Sequence, residues 1–409
     1  MINGKSPMLT FNPVFKSPQG SPIRELFKYL SVPGMISLAG GYPASDLFDA
    51  AGLAEAMTVA FRNSVGCLQY SSSEGLPGLR EALAQLSHQR GIPCDADDLI
   101  VTSGSQQGFD LLVRVLLSPG DAVLVEQPTY PATLQALRLA QARIETVASD
   151  LDGIDPAQLD SQLTRCTQEQ RPKFLYLSPT FANPTGLTLG LERRRALLEV
   201  AMRHDLLIIE DDPYGDLRFT GVAIPTLAEL ARTQPETRDQ VVYLSSLSKI
   251  VAPGVRIGWM IGPAEVLKRC TIAKQTADLC TSGWMQSIAE AYLKQGFLER
   301  HLPVLTAAYH AKCQALVNGL QTHLGQRFEC QIPAGGLFVW GRWSEGLDAK
   351  VVLEQAIEHK VMYVPGSAFY AEVPDHSTVR LSFAAPSLEQ IGHAVERLAL
   401  AVQAFGRKG

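Results

Sequence analysis

Polar residues with chemical reach stand directly after short apolar runs in this sequence. Leu99–Thr102 is followed by Ser103-Gly104-Ser105-Gln106-Gln107, and Ala122–Val125 by Glu126-Gln127-Pro128-Thr129-Tyr130. Phe174–Leu177 leads into Ser178-Pro179-Thr180-Phe181-Ala182-Asn183-Pro184-Thr185-Gly186. Leu206–Ile209 leads into Glu210-Asp211-Asp212-Pro213-Tyr214, and Val241–Leu244 into Ser245-Ser246-Leu247-Ser248-Lys249. Ligands of an open parallel sheet gather beyond the carboxyl ends of its strands, so five such endings describe one site. The last is the sharpest. Lys249 follows Ser246 and Ser248 and stands seven residues before Arg256, which opens the next apolar run. Two hydroxyls and a guanidinium on one loop suit a phosphate dianion, with which planar Arg pairs bidentately. An amine beside such a site fits an imine-forming lysine, the usual anchor of pyridoxal phosphate.

Each residue has a plainer reading in isolation. A lone Lys is usually solvated surface, and an Asp after a strand is usually a cap or turn residue. Asn-Pro-Thr-Gly is an ordinary turn, and a Gly-Ser helix start is an ordinary cap. Together, at five strand ends, they describe one ligand site.

The elements that must position these residues alternate. Strand-like runs recur at the positions above and at Ile257–Ile261. Between them lie helical patterns such as Leu191–Arg203 and the stretch carrying Phe109, Leu112, Val113 and Leu116 on one face. This alternation predicts a mainly parallel sheet sandwiched by helices. The texture changes after about Gly296. Helical His301–Leu324, Ala349–Lys360 and Leu388–Ala404 alternate there with Phe328–Ile332, Gly335-Gly336-Leu337-Phe338-Val339-Trp340 and Val379–Ala384, which predicts a smaller α+β domain. Gly335-Gly336 reads as a tight turn with close backbone packing, since no helix follows to make it a phosphate loop. The first 40 residues read as an arm broken by Pro7, Pro13, Pro18, Pro22 and Pro33, with room for one short helix, Ile23–Leu30. The expected division is an arm over 1–40 joining the small domain, a large cofactor-binding domain over 41–296 and a small domain over 297–409.

Composition narrows the function. Of 409 residues, 46% are hydrophobic and 19% charged, enough apolar matter for a sizeable core. The net charge of −5 gives no basic excess for nucleic acid. Seven cysteines are spread out without a CxxC pair, and eight histidines show no metal-ligand spacing. No metal site is expected, and the thiols point to a reducing compartment. Met1–Ser17 has no apolar leader-like core, and no window approaches the ~18 apolar residues of a membrane span. The expectation is a cytoplasmic protein with no membrane or nucleic-acid partner.

In these residues the chain resembles the fold-type I pyridoxal-phosphate enzymes of the class I/II aminotransferases, from about Pro22 to Ala404. Ser246–Gly258 looks like their cofactor-lysine motif, Asn183-Pro184-Thr185-Gly186 like their Asn-Pro-x-Gly, and Asp211-Asp212-Pro213-Tyr214 like their Asp-x-x-Tyr. Val379-Arg380-Leu381-Ser382-Phe383 resembles the strand carrying their carboxylate-binding arginine. Ser37–Pro43, Leu68-Gln69-Tyr70-Ser71 and the Lys-to-Arg spacing look most like the kynurenine/2-aminoadipate aminotransferase branch.

The resemblance implies roles. Lys249 would form the internal aldimine with pyridoxal 5'-phosphate and then move the substrate Cα proton. Asp211 would pair with the pyridine nitrogen, since the family pattern puts that Asp three residues before the Tyr. Asn183 and Tyr214 would bond the ring's phenolic oxygen, and Tyr130 would stack on the ring. Ser105 and Gln106 at a helix start, with Ser246, Ser248 and Arg256, would form the phosphate cup. Tyr70 would reach the partner's phosphate across a homodimer interface. Arg380 and Asn183 would hold the substrate α-carboxylate, with Arg24 and Gly40 toward the substrate side chain. The implied reaction is ping-pong transfer of an amino group from an α-amino acid to a 2-oxo acid.

Two other readings stand beside it. A C–S lyase or another β-eliminating enzyme uses the same scaffold. A transcription regulator with an aminotransferase-like domain would need an N-terminal winged-helix module and a basic linker.

Overall fold

The runs Leu99–Thr102, Ala122–Glu126, Phe174–Leu177, Val241–Ser246 and Gly258–Ile261 are buried along their whole length. Strands covered on both faces require that. The computed structural model describes residues 9–15, 20, 22–403 and 405. It joins these runs into one sheet of seven strands, here β1 (Leu99–Thr102), β2 (Ala122–Glu126), β3 (Arg143–Val147), β4 (Phe174–Leu177), β5 (Leu207–Asp211), β6 (Val241–Ser246) and β7 (Gly258–Ile261). Their spatial order is β1-β7-β6-β5-β4-β2-β3. The pairs β6·β5, β5·β4, β4·β2 and β2·β3 are parallel. The strand β7 runs antiparallel between β1 and β6. Its beginning therefore lies among the carboxyl ends of its neighbours, with Gly258 opposite both Thr102 and Ser246.

Side chains of a strand alternate between the two faces, and two cores result. Ile100, Val123, Val125, Phe174, Tyr176, Val242, Leu244 and Met260 pack with helices Ser105–Leu116, Pro131–Leu139 and Ala264–Ala277. Leu99, Val101, Leu124, Leu175, Leu177, Tyr243 and Trp259 pack on the other face with Pro77–Gln89, Leu191–Arg203 and Gly283–Lys294.

The smaller α+β unit is built on a sheet of β8 (Phe328–Cys330), β9 (Phe338–Trp343), β10 (Val364–Pro365) and β11 (Thr378–Ser382), ordered β8-β9-β11-β10 and antiparallel throughout. Helices Phe297–Leu324, Ala349–Glu358 and Leu388–Gln403 accompany it. The N-terminal segment joins this unit: Ile36–Ser37 pairs in parallel with Val361–Met362. The Ser382 amide donates to the Leu38 carbonyl. Gly336 has φ +76°, and a Cβ on Gly335 would lie 2.3 Å from the Phe181 ring and 2.4 Å from the Leu217 carbonyl, so this pair is the expected tight turn against neighbouring backbone.

Some boundaries differ from expectation. Ile23–Leu30 is not one helix but a turn of α-helix, Pro22–Glu25, continued as 3-10 helix over Leu26–Ser31. It stops at extended Val32, the conformation that the following Pro33 imposes. The helix expected from His301 begins at Phe297, after left-handed Gly296, and runs through Pro303. Burial of Phe297 and Leu298 outweighs the breaking tendency of that proline. Gly4, Pro7 and Pro18 of the arm, most of the Met1–Ser17 segment and Ala404 lie outside the described residues. Among the described residues no helix is long and apolar enough to cross a membrane.

Candidate active site

The helix Ser105–Leu116 begins at Gly104, whose φ of +87° is a conformation that side chains disfavour. No side chain caps its first amides. The guanidinium of Arg256 closes over this start, with Nη2 donating to the Ser103 carbonyl at 2.7 Å. A Cβ on Gly104 would sit 2.7 Å from that nitrogen. A Cβ on Gly258 would sit 2.5 Å from the Gly104 carbonyl carbon and 2.6 Å from the Ser105 nitrogen. Two glycines thus let the helix start, β7 and Arg256 converge. Arg256 itself is left-handed, at φ +51°, a strained state that non-glycine residues keep where surroundings or function demand it. The Ser246 hydroxyl lies 2.7 Å from Ser248 Oγ and 3.1 Å from the Ile257 carbonyl, and accepts the Ser248 amide at 3.0 Å. Helix dipole, open amides and guanidinium make a seat for a phosphate.

A second set of groups includes Lys249, which lies within electrostatic range of Arg256 and Asp211. The carboxyl of Asp211 ends β5. Its Oδ2 accepts from the Tyr176 hydroxyl at 2.6 Å, while Oδ1 is cut off from solvent with no partner. Burial pushes this carboxyl up to about 6; the like charge of Asp212 adds to that, and the Tyr176 bond and Lys249 oppose it. Asp212, by contrast, is fully employed by the protein, accepting from the Gly215 amide at 2.9 Å and the Tyr243 hydroxyl at 3.1 Å. The Lys249 amine donates to the Gly41 carbonyl at 3.0 Å and stands 6.0 Å from the Tyr214 ring centre. Burial, then the positive charges of Arg380 and Arg256, bring its pKa down to about 8 against the pull of Asp211.

Arg380 is 1% exposed. It donates to Asn183 Oδ1 at 2.8 Å and to the Ala39 carbonyl at 2.6 Å, while Nε has no partner. Phe338 and Phe369 lie against its guanidinium, at 4.3 and 4.9 Å from their ring centres. Burial lowers its pKa to about 10, partly offset by Tyr214 and Tyr130. Burial pushes the Tyr214 hydroxyl well above its ordinary value, and the neighbouring Asn183 side chain partly offsets this. Tyr130 opens the helix Pro131–Leu139 within electrostatic range of Asp211, Arg380, Arg24 and Tyr42.

The fold therefore brings Lys249, Asp211, Tyr214, Asn183, Tyr130, Arg380 and Arg256 together with the helix start at Ser105. Gln106 and Arg24 are exposed at the margin. Gly40 is buried under Tyr42, whose ring lies where a Cβ on Gly40 would point. Tyr70 is 77% exposed, and its hydroxyl makes no hydrogen bond among the described residues. Sequence reasoning missed the Gly41 and Ala39 carbonyls, the Tyr176 hydroxyl and the two phenylalanines around Arg380. Tyr176 was open to inference, since it points from β4 to the neighbouring β5 strand end. Backbone carbonyls leave no residue-type signal.

These groups fit pyridoxal phosphate. The seat matches its phosphate, the orphaned Asp211 oxygen would take a protonated ring nitrogen, and an amine of lowered pKa lies within electrostatic range of both Arg256 and Asp211. The family described as aminotransferase class I and II matches residues 33–398. The aromatic-amino-acid aminotransferase 1 of Thermococcus litoralis is 38% identical over 384 residues, covering 93% of this chain and 91% of its own. The 2-aminoadipate transaminase of Thermus thermophilus is 38% identical over 386 residues, covering 94% of each chain. The kynurenine aminotransferase of Pyrococcus horikoshii, solved with PMP, superposes with a TM-score of 0.91 at 36% identity and covers 98% of each chain. The chain belongs to the class I and II aminotransferases, and is a pyridoxal-phosphate enzyme that moves an amino group from an α-amino acid to a 2-oxo acid.

Proposed function

We propose that Lys249 carries the cofactor and that each residue gathered around it has the role its chemistry suits. The observation that carries this reading is the buried, unpartnered Oδ1 of Asp211 within electrostatic range of Lys249. Bound pyridoxal phosphate supplies an aldehyde for the amino group and a ring that withdraws electrons from the substrate Cα. Asp211 holds the ring nitrogen protonated. Lys249, once displaced by substrate, is the base that takes the Cα proton, for which a pKa near 8 suits it better than ~10.4. Tyr214 and Asn183 bond the ring oxygen, and Tyr130 covers the ring face. Ser105, Gln106, Ser248 and Arg256 grip the phosphate. Ser246 contributes by holding the Ser248 hydroxyl and the loop. Arg380 takes the α-carboxylate, held between Phe338 and Phe369 so that its free donors have one orientation.

Exposed Arg24 and Tyr42 lie within electrostatic range of Tyr130, and the Tyr42 ring covers Gly40. A cation among phenols suits a substrate with a long acidic or an aromatic side chain, and relatives named for aromatic amino acids and 2-aminoadipate support this. Incubation of the loaded enzyme with single amino acids, read by the cofactor spectrum, tests it. Aromatic amino acids and 2-aminoadipate should convert the spectrum fully, and addition of a 2-oxo acid should reverse it. Release of pyruvate and ammonia without dependence on 2-oxo acid would instead establish elimination.

The working unit we propose is a homodimer with the site at its interface. Tyr70 stands exposed amid Met57, Phe61, Val65 and Leu68, which are 44–80% exposed. Such an apolar patch is what a second copy covers. Boundaries at 41 and 297 divide the arm, large domain and small domain, and seven unpaired thiols support a cytoplasmic setting.

A further inference from the structure

The phosphate seat is a loop, and something must hold it. Ser103 Oγ donates to Asp278 Oδ2 at 3.2 Å, and Gln107 Nε2 donates to the same oxygen at 2.7 Å. Gln107 Oε1 in turn accepts the Ser103 amide at 2.7 Å. The fully buried amine of Lys274 donates to both oxygens of Asp278, at 2.7 and 2.8 Å, and to Gln107 Oε1 at 3.3 Å. Ser103 is also the residue whose carbonyl receives Arg256. The loop between β1 and the helix is thus fastened from two sides, by Arg256 above and by the end of the Ala264–Ala277 helix below.

The same stretch reaches the loop that carries Tyr70. The Leu279 carbonyl accepts from Ser73 Oγ at 2.7 Å. Gln286 Nε2 donates to Ser71 Oγ at 3.0 Å and to the Thr281 carbonyl at 2.6 Å, while its Oε1 accepts the Leu76 amide at 2.8 Å. Residues 274–286 therefore brace both loops that the phosphate reading uses.

We infer that Lys274 and Asp278 are positioning residues for the cofactor phosphate: their ion pair fixes Ser103 and Gln107, and through them the amides at the helix start and the Arg256 guanidinium. The geometry explains why a lysine with no solvent contact sits on the underside of this helix. Its charge is matched by one carboxylate, and that carboxylate's remaining capacity goes to the loop and nowhere else among the described residues. Removal of the Asp278 charge frees Ser103 and Gln107 to move, and an amide displaced from the phosphate is lost to binding although no phosphate ligand has been changed. The inference rests on the reading of Ser105 and Arg256 as the phosphate seat.

The test is the rate at which the holoenzyme loses cofactor on dilution, with the cofactor concentration for half-loading measured on the stripped protein. Asp278→Asn should raise the half-loading concentration about tenfold, a loss of the size of one charged hydrogen bond. The KM for the amino acid, measured with saturating cofactor, should stay within twofold of wild type. Asp278→Glu should recover part of the affinity. A merely structural pair would lower the melting temperature and leave half-loading unchanged. Because Asp278→Asn leaves Lys274 buried without its full partner, Lys274→Met/Asp278→Leu is the second variant, with the pair replaced by apolar groups. It should fold and still lose cofactor about tenfold faster. Half-loading within twofold of wild type in both variants overturns the inference. If Arg256→Ala weakens loading in the same assay, the seat survives and only the brace is refuted; if Arg256→Ala also has no effect, the seat itself is wrong.

Discussion

At the scale of single residues, two groups carry charge where water is scarce, and both give measurable consequences. Lys249 is brought down to about 8 mainly by burial and by the charges of Arg380 and Arg256. The sign follows directly: a lysine whose pKa is lowered is a free base at lower pH than a solvated one, and only the free base attacks an aldehyde. The rate of cofactor capture by stripped enzyme should therefore climb about tenfold per pH unit below 8 and level off above it. A profile still climbing toward 10 would mean that the lysine is not held as described. Asp211 is the second group. Asp211→Asn leaves shape but removes the charge that, as we propose, faces the ring nitrogen. It should keep cofactor bound and slow Cα deprotonation by two to four orders of magnitude, since a charge pair lost at a buried site costs ~3–5 kcal/mol. Isotope exchange at Cα reads that step. A rate near wild type would pass the role to another residue, although Asp212 is already committed to Gly215 and Tyr243.

At the scale of elements, the site exists because strand ends converge. The strands were legible in the sequence because buried strands are short unbroken apolar runs: Leu99–Thr102 and Phe174–Leu177 match their observed limits. Leu191–Arg203 was equally plain from its helical spacing. The direction of β7 was not legible, since a run of apolar residues reads the same for either direction. Yet the reversal of β7 is what sets Arg256 beside Ser103. Likewise the half-buried edge strand Arg143–Val147 offered no apolar run to recognise. Two glycines make the convergence possible, and Gly258→Ala tests it. The added Cβ would meet backbone atoms of Gly104 and Ser105, which cannot swing aside as a side chain does. The variant should lose ~1–3 kcal/mol of stability and load cofactor at least tenfold more weakly. Thermal unfolding and a loading titration measure the two effects, and normal loading would show that the close approach is incidental.

At the scale of the whole molecule, Tyr70 marks the limit of what one chain holds. The sequence placed it at the phosphate only through the resemblance, and the single chain leaves it 77% exposed. In a homodimer with shared sites, mixing Tyr70→Phe with Arg256→Ala protein should regain activity. One site of each hybrid then carries both intact residues. No gain on mixing, with sedimentation showing an active monomer, would refute the shared site.

All of this turns on Lys249 as the residue that holds the cofactor. Borohydride reduction of the loaded enzyme, followed by digestion and mass mapping, fixes the cofactor to whichever amine holds it. One labelled peptide is expected, with the label on Lys249 and none in a Lys249→Ala protein. A label on any other lysine, with Lys249 unmodified, would contradict it.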